Sequence, residues 1–540
     1  MTGNNNSGFT RRDFLMKAGA TAALVAAGVS PAGLGAAEAG GEAKTAQTAN
    51  TANTAKKPNV IYIMADQLRY QSVGYAGDAK ARTPNLDRLA AESVSFRQCV
   101  STMPVCAAYR ASLFTGKYPS STGMAINELR MNPNHRCLGH VVTEAGYDTG
   151  YVGKWHLWAN SSNHNAMESS YIPPEMRKYR LGWDGFWAAY NFNHQYYRNF
   201  YYMDEPVKHT FPGYEPDGQT DMAIDFVRKH AGKDKPFYLT LSMGTPHDPW
   251  GPKNVPAEYL EMFKDVEFTL PPNWSDTPDP YMDRNADPAK WLSTWKPNMP
   301  GYQRVYYAMT ANLDHNVGRL MQAVKDAGIE DDTIVVFTSD HGEMFGANGR
   351  VWKLTFYDPA ARVPMLIRWP GQIPAGCVSD ACMGTPDIMP TLLGLMGLDI
   401  PKTVEGMDLS PLAKGKKGEN GENGKQGEKN PEPEFAFLQG LGHTFLWNDG
   451  FEWRAVRDKR YTYAVYLRDK SEVLLDNQAD GLQMKNLAAD PAHKETRDRL
   501  AGQLAGKMKD LGDTFEKCSW YRDHWTDGKR NIIASARGKF

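Results

Sequence analysis

The chain of 540 residues is 41% hydrophobic and 11% aromatic, which is enough apolar material for one large domain and a smaller one. Its 61 Lys and Arg residues are balanced by 62 Asp and Glu residues, giving a formal net charge of −1. This balance excludes a global positive field for nucleic acid or an anionic membrane, so an anionic ligand must be attracted by charges inside a local pocket.

The N-terminal segment has the features of an export signal. Two adjacent arginines, Arg11 and Arg12, precede an Ala/Gly/Val-rich stretch that ends near a small-residue cleavage site at Ala37–Ala39. We predict a cleaved twin-arginine signal over residues 1–39, with the twin-arginine translocase as a partner and a periplasmic or secreted location. The stretch is short and alanine-rich, which disfavours a stable membrane anchor. Residues 40–57 are rich in Thr, Ala and Asn and are predicted to be a disordered spacer.

From residue 58 onwards, short apolar runs alternate with amphipathic stretches. A helix is predicted to open at Thr83-Pro84, and apolar residues repeat at helical spacing over 305–324. Strands are predicted at 60–64, 147–152, 237–241, 334–338 and 364–369. The alternation predicts an α/β domain over residues 58–412, built around a large mixed or largely parallel sheet.

The C-terminal part has a different pattern. Residues 413–434 are rich in Gly, Lys, Glu and Asn without apolar periodicity, which predicts a flexible linker or surface loop. Beyond this segment, residues 435–540 are predicted to form a small α+β subdomain. Its short strands are expected at 435–438, 453–456, 461–466 and 473–475, with a helix that begins near 494.

One run, from Cys106 to Gly116, carries the strongest functional signal. Cys106 and Arg110 are one helical turn apart, and the loop-like Ser-Thr-Met-Pro-Val before them places Cys106 near a helix N-terminus, where negative charge is favoured. Alone, this pair also fits a buried structural cysteine beside an ion-paired arginine. The run resembles the signature of type I sulfatases, in which the cysteine is oxidised to formylglycine. The resemblance implies that Cys106 is the precursor of the nucleophile and that a sulfatase-maturing enzyme is a partner.

Two segments resemble the metal-binding strands of the same family. Asp66-Gln67 and Asp340-His341 each follow a predicted strand, at the edge of the sheet where α/β enzymes place their chemistry. The family usually has a second acid where this chain has Gln67, whose amide oxygen can still bind a hard cation. The Asp-His variant belongs to the branch that includes choline sulfatases and phosphonate monoester hydrolases. Oxygen-rich ligation favours Ca²⁺, with Mn²⁺ or Mg²⁺ as alternatives.

Three further segments resemble the substrate-binding motifs of sulfatases. In Gly-Lys-Trp-His the resemblance assigns Lys154 to the sulfate oxygens and His156 to a hydrogen bond with formylglycine. It assigns His247 to the leaving group and Lys353 to a second contact with sulfate. The six segments occur in family order between residues 58 and 371. The resemblance therefore implies an alkaline-phosphatase-like α/β sandwich and hydrolysis of a sulfate monoester, with Arg110 orienting the hydrated aldehyde.

Two alternatives remain open from the sequence. A phosphodiester or phosphonate monoester hydrolase on the same scaffold shares the Asp-His metal pair, and a non-catalytic glycan-binding relative shares the fold. A sulfated glycan is favoured as substrate over a small aryl or choline ester. The aromatic-rich segment 190–202 lines a sugar subsite in one interpretation and is ordinary packing in the other.

Overall fold

The computed structural model describes residues 56–159, 163–282, 287–416 and 432–540. The predicted signal over 1–39, the spacer up to residue 55 and the linker between residues 417 and 431 lie outside the described residues. Residues 58–540 form one compact unit. In the part of the chain that is described, no helix is both long enough and apolar enough to cross a bilayer.

The unit is built around an eight-stranded sheet and a four-stranded sheet. The strands are β1 (Asn59–Asp66), β2 (Val94–Phe96), β3 (Asp148–Lys154), β4 (Phe186–Tyr190), β5 (Phe200–Tyr201), β6 (His209–Thr210), β7 (Phe237–Pro246), β8 (Thr333–Ser339), β9 (Met365–Arg368), β10 (Cys377–Ser379), β11 (Ala436–Gly440), β12 (Trp453–Arg457), β13 (Tyr461–Tyr466) and β14 (Glu472–Asp476).

The helices connect and cover these sheets. They are α1 (Pro84–Ala91), α2 (Cys106–Thr115), α3 (Pro119–Thr122), α4 (Leu138–Glu144), α5 (Glu215–His230), α6 (Ala257–Glu261), α7 (Pro288–Trp295), α8 (Met299–Asp326), α9 (Asp358–Ala361), α10 (Ile388–Met396), α11 (Ser410–Ala413), α12 (Lys494–Leu511) and α13 (Cys518–Trp525).

The large sheet has the strand order β10-β2-β9-β8-β1-β7-β3-β4. The five strands from β8 to β4 are parallel, whereas β9 is antiparallel to both of its neighbours. The predicted α/β architecture with a mixed sheet is therefore confirmed. Because the five parallel strands point the same way, their carboxyl ends meet at one edge, which we call the carboxyl edge.

Both faces of the large sheet are covered. Along β1, Tyr62 and Met64 enter a core shared with α2, α4 and α10, whereas Ile61 and Ile63 enter a core shared with α5 and α8. Burial on both faces explains the continuous apolar sequence of β1, since neither side of the strand contacts solvent.

The C-terminal sheet is a simple antiparallel meander of β11, β12, β13 and β14. Helix α12 covers one face, where Leu500 and Leu504 pack with Val456 and Tyr463. The predicted small α+β arrangement is thus present in the structure, within the same compact unit as the large sheet.

Candidate active site

The carboxyl edge brings together residues that are far apart in the sequence. Asp66 is the last residue of β1 and Lys154 is the last residue of β3. Asp340 directly follows β8, and His247 directly follows β7. All four are buried, and their convergence follows from the shared direction of the four strands.

Cys106 is the first residue of α2 and is completely buried. Its Sγ lies 3.1 Å from His341 Nε2 and 3.7 Å from Asp66 Oδ1. The Nζ atoms of Lys154 and Lys353 lie 3.5 and 3.6 Å from the same sulfur. Burial and the Asp66 carboxylate raise the pKa of the Cys106 thiol to about 11. Without a bound cation, an unmodified thiol at this position is therefore harder to ionise than an exposed cysteine.

Arg110 lies one turn further along α2, fully buried. Its Nη1 donates to the carbonyl oxygen of Lys154 at 2.6 Å and to Ser242 Oγ at 2.7 Å, and its Nη2 lies 3.3 Å from Asp340 Oδ2. Its Nε has no hydrogen-bond partner among the described residues. Arg110 thus fixes the end of β3 and contributes a positive charge next to the two aspartates.

The groups predicted to bind a metal converge. Ligand atoms of Asp66, Cys106, Asp340 and His341 all lie within 4.8 Å of one another, and all four residues are buried. His341 Nδ1 lies 3.0 Å from the carbonyl oxygen of Gly342 and donates to it, which leaves the Nε2 lone pair directed at the cluster. Burial and the nearby Asp66 carboxylate raise the pKa of Asp340 to about 6. Two carboxylates and an imidazole nitrogen this close together form a donor set that fits a divalent ion, although Lys154 and Arg110 already offset part of their charge.

Gln67 completes this cluster, although its backbone is unusual. Its φ of 69° lies in the left-handed region, which a residue with a side chain seldom adopts. Gln67 Nε2 donates to Glu343 Oε2 at 2.7 Å, and Gln67 Oε1 accepts from Lys353 Nζ at 2.9 Å. The amide oxygen is therefore paired with Lys353, and the role of Gln67 as a metal ligand stays a prediction.

The two lysines approach Cys106 from different sides of the site. Lys154 forms a buried ion pair with Asp66. Lys353 lies in a loop whose flanking residues Trp352 and Leu354 both have positive φ, 63° and 66°. Its Nζ is 2.7 Å from His247 Nε2. A group bound to the nucleophile would thus lie between two ammonium groups.

His247 is buried, and its two nitrogens have different partners. Nδ1 lies 2.9 Å from the carbonyl oxygen of Asp248, to which it donates, so Nε2 accepts from Lys353. Burial, His194 and Lys353 hold the pKa of His247 well below its usual range. The imidazole is therefore neutral, and the ammonium of Lys353 carries the proton that the two residues share.

His156 is buried next to this cluster, but its contacts lie on the far side from Cys106. Its Nε2 is 3.4 Å from Glu128 Oε1, and its Nδ1 has no hydrogen-bond partner in the described part of the chain. Its ring packs on Phe192, with centroids 4.8 Å apart. The contact between His156 and a modified Cys106 stays a prediction.

Three residues to which the sequence assigned no role in catalysis lie in this site, and one of them, His194, belongs to the aromatic-rich segment 190–202. Asn127 Oδ1 accepts from the main-chain N–H of Ala107 at 3.0 Å and so caps the first turn of α2. Glu343 orients the Gln67 amide. His194 stacks on His247, with centroids 4.0 Å apart. Glu343 was visible in the Asp-His-Gly-Glu run, whereas no spacing rule points to Asn127 or His194.

The aromatic-rich segment 190–202 contributes mainly to packing. Tyr190, Phe200 and Tyr202 form a separate buried cluster with Tyr171. Of this segment, Phe192 lines the large cavity beside the charged site.

That cavity has a volume of about 910 Å³ and opens from the Lys353–His247 pair. Its wall combines aromatic and apolar side chains with a similar number of polar and charged ones, such as Asp248, Lys290 and Arg350. Among its apolar lining residues are Trp295, Trp352, Phe445, Leu446 and Phe192.

The carboxyl edge of the mixed sheet thus holds buried groups that fit a divalent cation, together with two lysines. This arrangement is suited to an enzyme that acts on an anionic ester. Comparison with known proteins identifies the class: the sulfatase family model matches residues 58–398, and the chain belongs to this family. The protein is a sulfatase with the alkaline-phosphatase-like sandwich fold.

Similar proteins agree with this assignment. The chain is 36% identical to an ulvan-active sulfatase of Formosa agariphila, over 86% of this chain and 84% of that protein. It is 27% identical to an endo-4-O-sulfatase of Bacteroides thetaiotaomicron, over 86% and 94% of the two chains. A solved structure from the same organism, described in connection with metabolism of multiple glycosaminoglycans, superposes with a TM-score of 0.70 at 25% identity and covers 88% of this chain and 99% of that one.

Proposed function

We propose that this chain is an exported sulfatase that removes sulfate from a sulfated glycan, with a formylglycine nucleophile made from Cys106 and a bound divalent cation. The observation that carries the proposal is the position of Cys106 Sγ, which lies within 3.7 Å of the metal-ligand cluster and of both lysines. The other five described cysteines lack such surroundings: Cys99, Cys137, Cys382 and Cys518 are buried in apolar clusters, and Cys377 is half-buried in β10.

The need for a modification follows from the chemistry of the reaction. A thiol that attacked sulfur would be left as a thiosulfate ester without an internal means of release. A hydrated aldehyde avoids this, because one hydroxyl attacks sulfur and the second later loses its proton as sulfate is expelled. Burial and the Asp66 carboxylate also raise the pKa of the Cys106 thiol, which disfavours the plain thiolate as nucleophile when no cation is bound.

Asp66, Gln67, Asp340 and His341 would hold the cation. The ion would lower the pKa of the attacking hydroxyl and withdraw charge from a sulfate oxygen. Three of the four residues offer oxygen, which favours Ca²⁺, while the imidazole keeps Mn²⁺ and Mg²⁺ as alternatives. Arg110 would orient the attacking group from one helical turn away.

The remaining residues act on the substrate itself. Lys154 and Lys353 would bind sulfate oxygens and offset the charge that develops during transfer. The proton for the departing alkoxide would come from the Lys353–His247 pair, with His247 nearest to the leaving oxygen. That proton lies on the Lys353 ammonium; it would pass along the Lys353 Nζ–His247 Nε2 hydrogen bond to Nε2 and from there to the leaving oxygen, which leaves Lys353 as a neutral amine until solvent reprotonates it.

Two observations support a glycan as the substrate. The relatives named above act on ulvan or carry an endo-sulfatase name, and both match this chain over more than four-fifths of its length. The cavity next to Lys353 is about 910 Å³, which suits a ligand larger than choline.

The nucleophile is tested by peptide mass spectrometry across Cys106, in protein co-expressed with a sulfatase-maturing enzyme. We expect formylglycine or its hydrate, together with turnover of sulfate esters that exceeds turnover of phosphonate monoesters. Unmodified cysteine in active protein would exclude this mechanism. A preference for phosphonate monoesters would instead establish the alternative hydrolase on this scaffold, and binding of glycans without any turnover would indicate the non-catalytic alternative.

The metal is tested by thermal unfolding, which does not depend on activity. Adding Ca²⁺ to chelator-treated protein should raise the melting temperature, because an ion that binds only the folded state stabilises it by about 2.7 kcal/mol at 100 times its Kd. Asp340→Asn should lose most of this shift. An equal shift in both proteins would place the ion elsewhere.

Export is tested by the N-terminus of the mature protein. We expect the secreted or periplasmic form to begin after residue 39, and replacement of both Arg11 and Arg12 by Lys to retain the protein in the cytoplasm. Export of the double variant at the normal rate would argue for another route.

A further inference from the structure

Trp352 links the sulfate site to the large cavity. It precedes Lys353, and 45% of its surface is exposed, although the segment around it is mostly buried. Its main-chain N–H donates to Glu343 Oε1 at 2.8 Å, and its φ of 63° is in the left-handed region. Such a conformation is costly for a bulky residue and persists only where the surroundings enforce it, as is common at ligand sites.

The indole ring is held in place but not covered. Trp295 packs against it at right angles, with ring centroids 5.3 Å apart. The exposed part of Trp352 forms part of the wall of the 910 Å³ cavity. Phe445 and Leu446, which are 56% and 45% exposed, line the same cavity. Three large apolar side chains in one cavity wall, all exposed to solvent, indicate a surface for a ligand.

The position of this surface next to the charged site determines which part of the substrate contacts it. Lys353 and His247, to which the proposed mechanism assigns the leaving oxygen, line the same cavity. The part of the substrate that remains on the leaving oxygen must therefore enter the cavity and pass next to Trp352.

We propose that Trp352 is the platform on which a pyranose ring of the substrate stacks, with Phe445 and Leu446 contacting the neighbouring part of the saccharide. One face of a pyranose carries mainly C–H groups, which pack on an aromatic ring while the hydroxyls remain hydrated. The inference rests on the proposed function and narrows it to a substrate with at least one sugar ring at the sulfate-bearing position.

The test compares Trp352→Ala with Trp352→Phe in formylglycine-containing enzyme. Substrates are sulfated ulvan oligosaccharides, and inorganic sulfate serves as a competitive inhibitor that occupies only the charged site. We expect Trp352→Ala to raise KM for the oligosaccharide by about 10- to 50-fold, while the Ki of inorganic sulfate stays unchanged. Trp352→Phe should retain most of the affinity. Tyr197→Ala is the matched control, because Tyr197 is also 45% exposed but does not line the cavity.

The outcomes separate this inference from the proposed function. An unchanged KM in Trp352→Ala, or a Ki for sulfate that rises in parallel with KM, would overturn the platform while leaving the enzyme a glycan sulfatase. Turnover of other sulfate esters but of no saccharide by the unaltered enzyme would overturn the platform and the glycan assignment together. Absence of all sulfate-ester turnover in formylglycine-containing enzyme would overturn the proposed function.

A second, independent observation concerns His194. Its ring is parallel to that of His247 within 3°, at a centroid distance of 4.0 Å. His194 Nδ1 lies 3.4 Å from the hydroxyl of Tyr196, and His194 Nε2 lies 3.4 Å from Lys154 Nζ.

The partners of the Tyr196 hydroxyl determine the tautomer of His194. The Tyr196 hydroxyl has one hydrogen and faces the carbonyl oxygens of His247 at 2.5 Å and Gly244 at 3.0 Å, to which it donates. The hydroxyl can therefore only accept from His194, so Nδ1 carries the hydrogen and Nε2 offers its lone pair to Lys154. His247 is arranged in the same way, with its Nε2 towards Lys353. The site thus contains two stacked imidazole–lysine pairs.

The geometry points to His194 as a positioning residue for His247. The stacked ring prevents His247 from tilting, and Tyr196 ties both histidines to one hydroxyl group. The orientation of His247 Nε2 towards the leaving oxygen therefore depends on His194, in the mechanism proposed above.

The readout is the dependence of kcat on the leaving group. Proton transfer to the leaving group contributes about 10²- to 10⁴-fold, so His194→Ala should slow hydrolysis of a sugar or alkyl sulfate by about 10- to 100-fold. It should slow 4-nitrophenyl sulfate much less, since 4-nitrophenolate leaves without protonation. His194→Phe keeps the stacked ring and should retain most of the activity on both substrates. An equal loss on both substrates in His194→Ala would indicate a general structural role and overturn the inference, as would an unchanged kcat on sugar sulfates.

Discussion

The protein contains two buried clusters of charge, and they differ in how completely their groups are paired. In the C-terminal subdomain, Arg454 contacts both carboxylate oxygens of Asp513, and its Nη2 also donates to the hydroxyl of Tyr521 at 2.9 Å. Gln439 adds a further donor to Asp513. Every charge in this cluster has a directed partner within it.

The cluster at the carboxyl edge is organised differently. Asp66 and Asp340 lie close enough to share one ion, and Arg110 Nε and His156 Nδ1 have no hydrogen-bond partner among the described residues. A closed set of charges stabilises a fold, whereas an open set is maintained for a ligand that completes it. The difference teaches that burial and charge alone do not identify an active site; incomplete pairing marks one only where carboxylates also converge, because unpaired buried atoms such as Arg180 Nε occur elsewhere in the described residues.

Loss of the nucleophile should have the largest effect on activity. Cys106→Ala should reduce turnover of sulfate esters by at least about 10⁴-fold, because residues that act with a nucleophile contribute little without it. The melting temperature should change little, because the substitution removes one atom and leaves every charged group of the site in place. Cys382→Ala is the matched control, since Cys382 is equally buried but packs in an apolar cluster with Phe356 and Leu438. A substantial residual rate in Cys106→Ala would require a different nucleophile.

Breaking the closed cluster should act on stability and not on chemistry. Arg454→Ala leaves Asp513 buried without its partner and should reduce the free energy of unfolding by about 3–5 kcal/mol. Denaturant unfolding measures this loss, and kcat of the folded fraction should match the unaltered enzyme. The double variant Arg454→Met with Asp513→Leu should recover most of the stability. A double variant as unstable as Arg454→Ala would show that packing around the guanidinium, and not its charge, dominates.

A charge of the open cluster should show the opposite behaviour. Lys353→Ala should lower kcat/KM by about 10²- to 10³-fold, the usual cost of removing one donor to a developing charge. The unfolding free energy should fall little, because the ammonium is one of several cations around Asp66. Lys353→Arg tests whether position or charge matters, since the planar guanidinium cannot occupy the same place as the Nζ beside His247. Full turnover by Lys353→Ala would remove this residue from the mechanism.

The elements that could be predicted from the sequence are those whose burial or period leaves a pattern in the local sequence. The central strands were predicted because burial on both faces leaves a continuous apolar run, as in Asn59–Asp66, and the long helix Met299–Asp326 was predicted from its period. The short strands Val94–Phe96 and Cys377–Ser379 at one end of the sheet were not, because three residues are too few to show a pattern. Helix Glu215–His230 was also missed, since it begins in a Tyr-Glu-Pro-Asp-Gly run typical of a turn.

In the site, residues in short motifs at strand ends were predicted, and residues supplied by tertiary packing were not. Cys106, Asp340 and Lys154 lie in contiguous runs whose chemistry is local. His194 reaches His247 because β4 and β7 belong to the same sheet and the chain after β4 folds back over it, which no local pattern encodes. The role of the aromatic segment was left open in the sequence, and the structure resolves most of it as packing.

The smallest expected effect concerns Glu128, at the border of the open cluster. Burial raises the pKa of its carboxyl to about 7, although Arg530 and Lys154 oppose the shift. The ordinary value is 4.5, so the folded state binds more protons between pH 4.5 and pH 7. The stability that Glu128 contributes is therefore present below pH 4.5 and is lost as the pH rises through 7, by about 1–3 kcal/mol.

Glu128→Gln tests this by removing the ionisation while keeping the shape. The difference in unfolding free energy between the variant and the unaltered protein should increase from pH 4.5 to pH 7 in favour of the variant, and should be constant above pH 8. If the variant is instead less stable by the same amount at every pH, Glu128 is ionised in the folded state and its contacts with Arg530 and His156 form a closed cluster like that of Arg454. Glu128 would then belong to a fully paired cluster. The incompletely paired cluster would begin at His156, whose Nε2 is 3.4 Å from the Glu128 carboxylate.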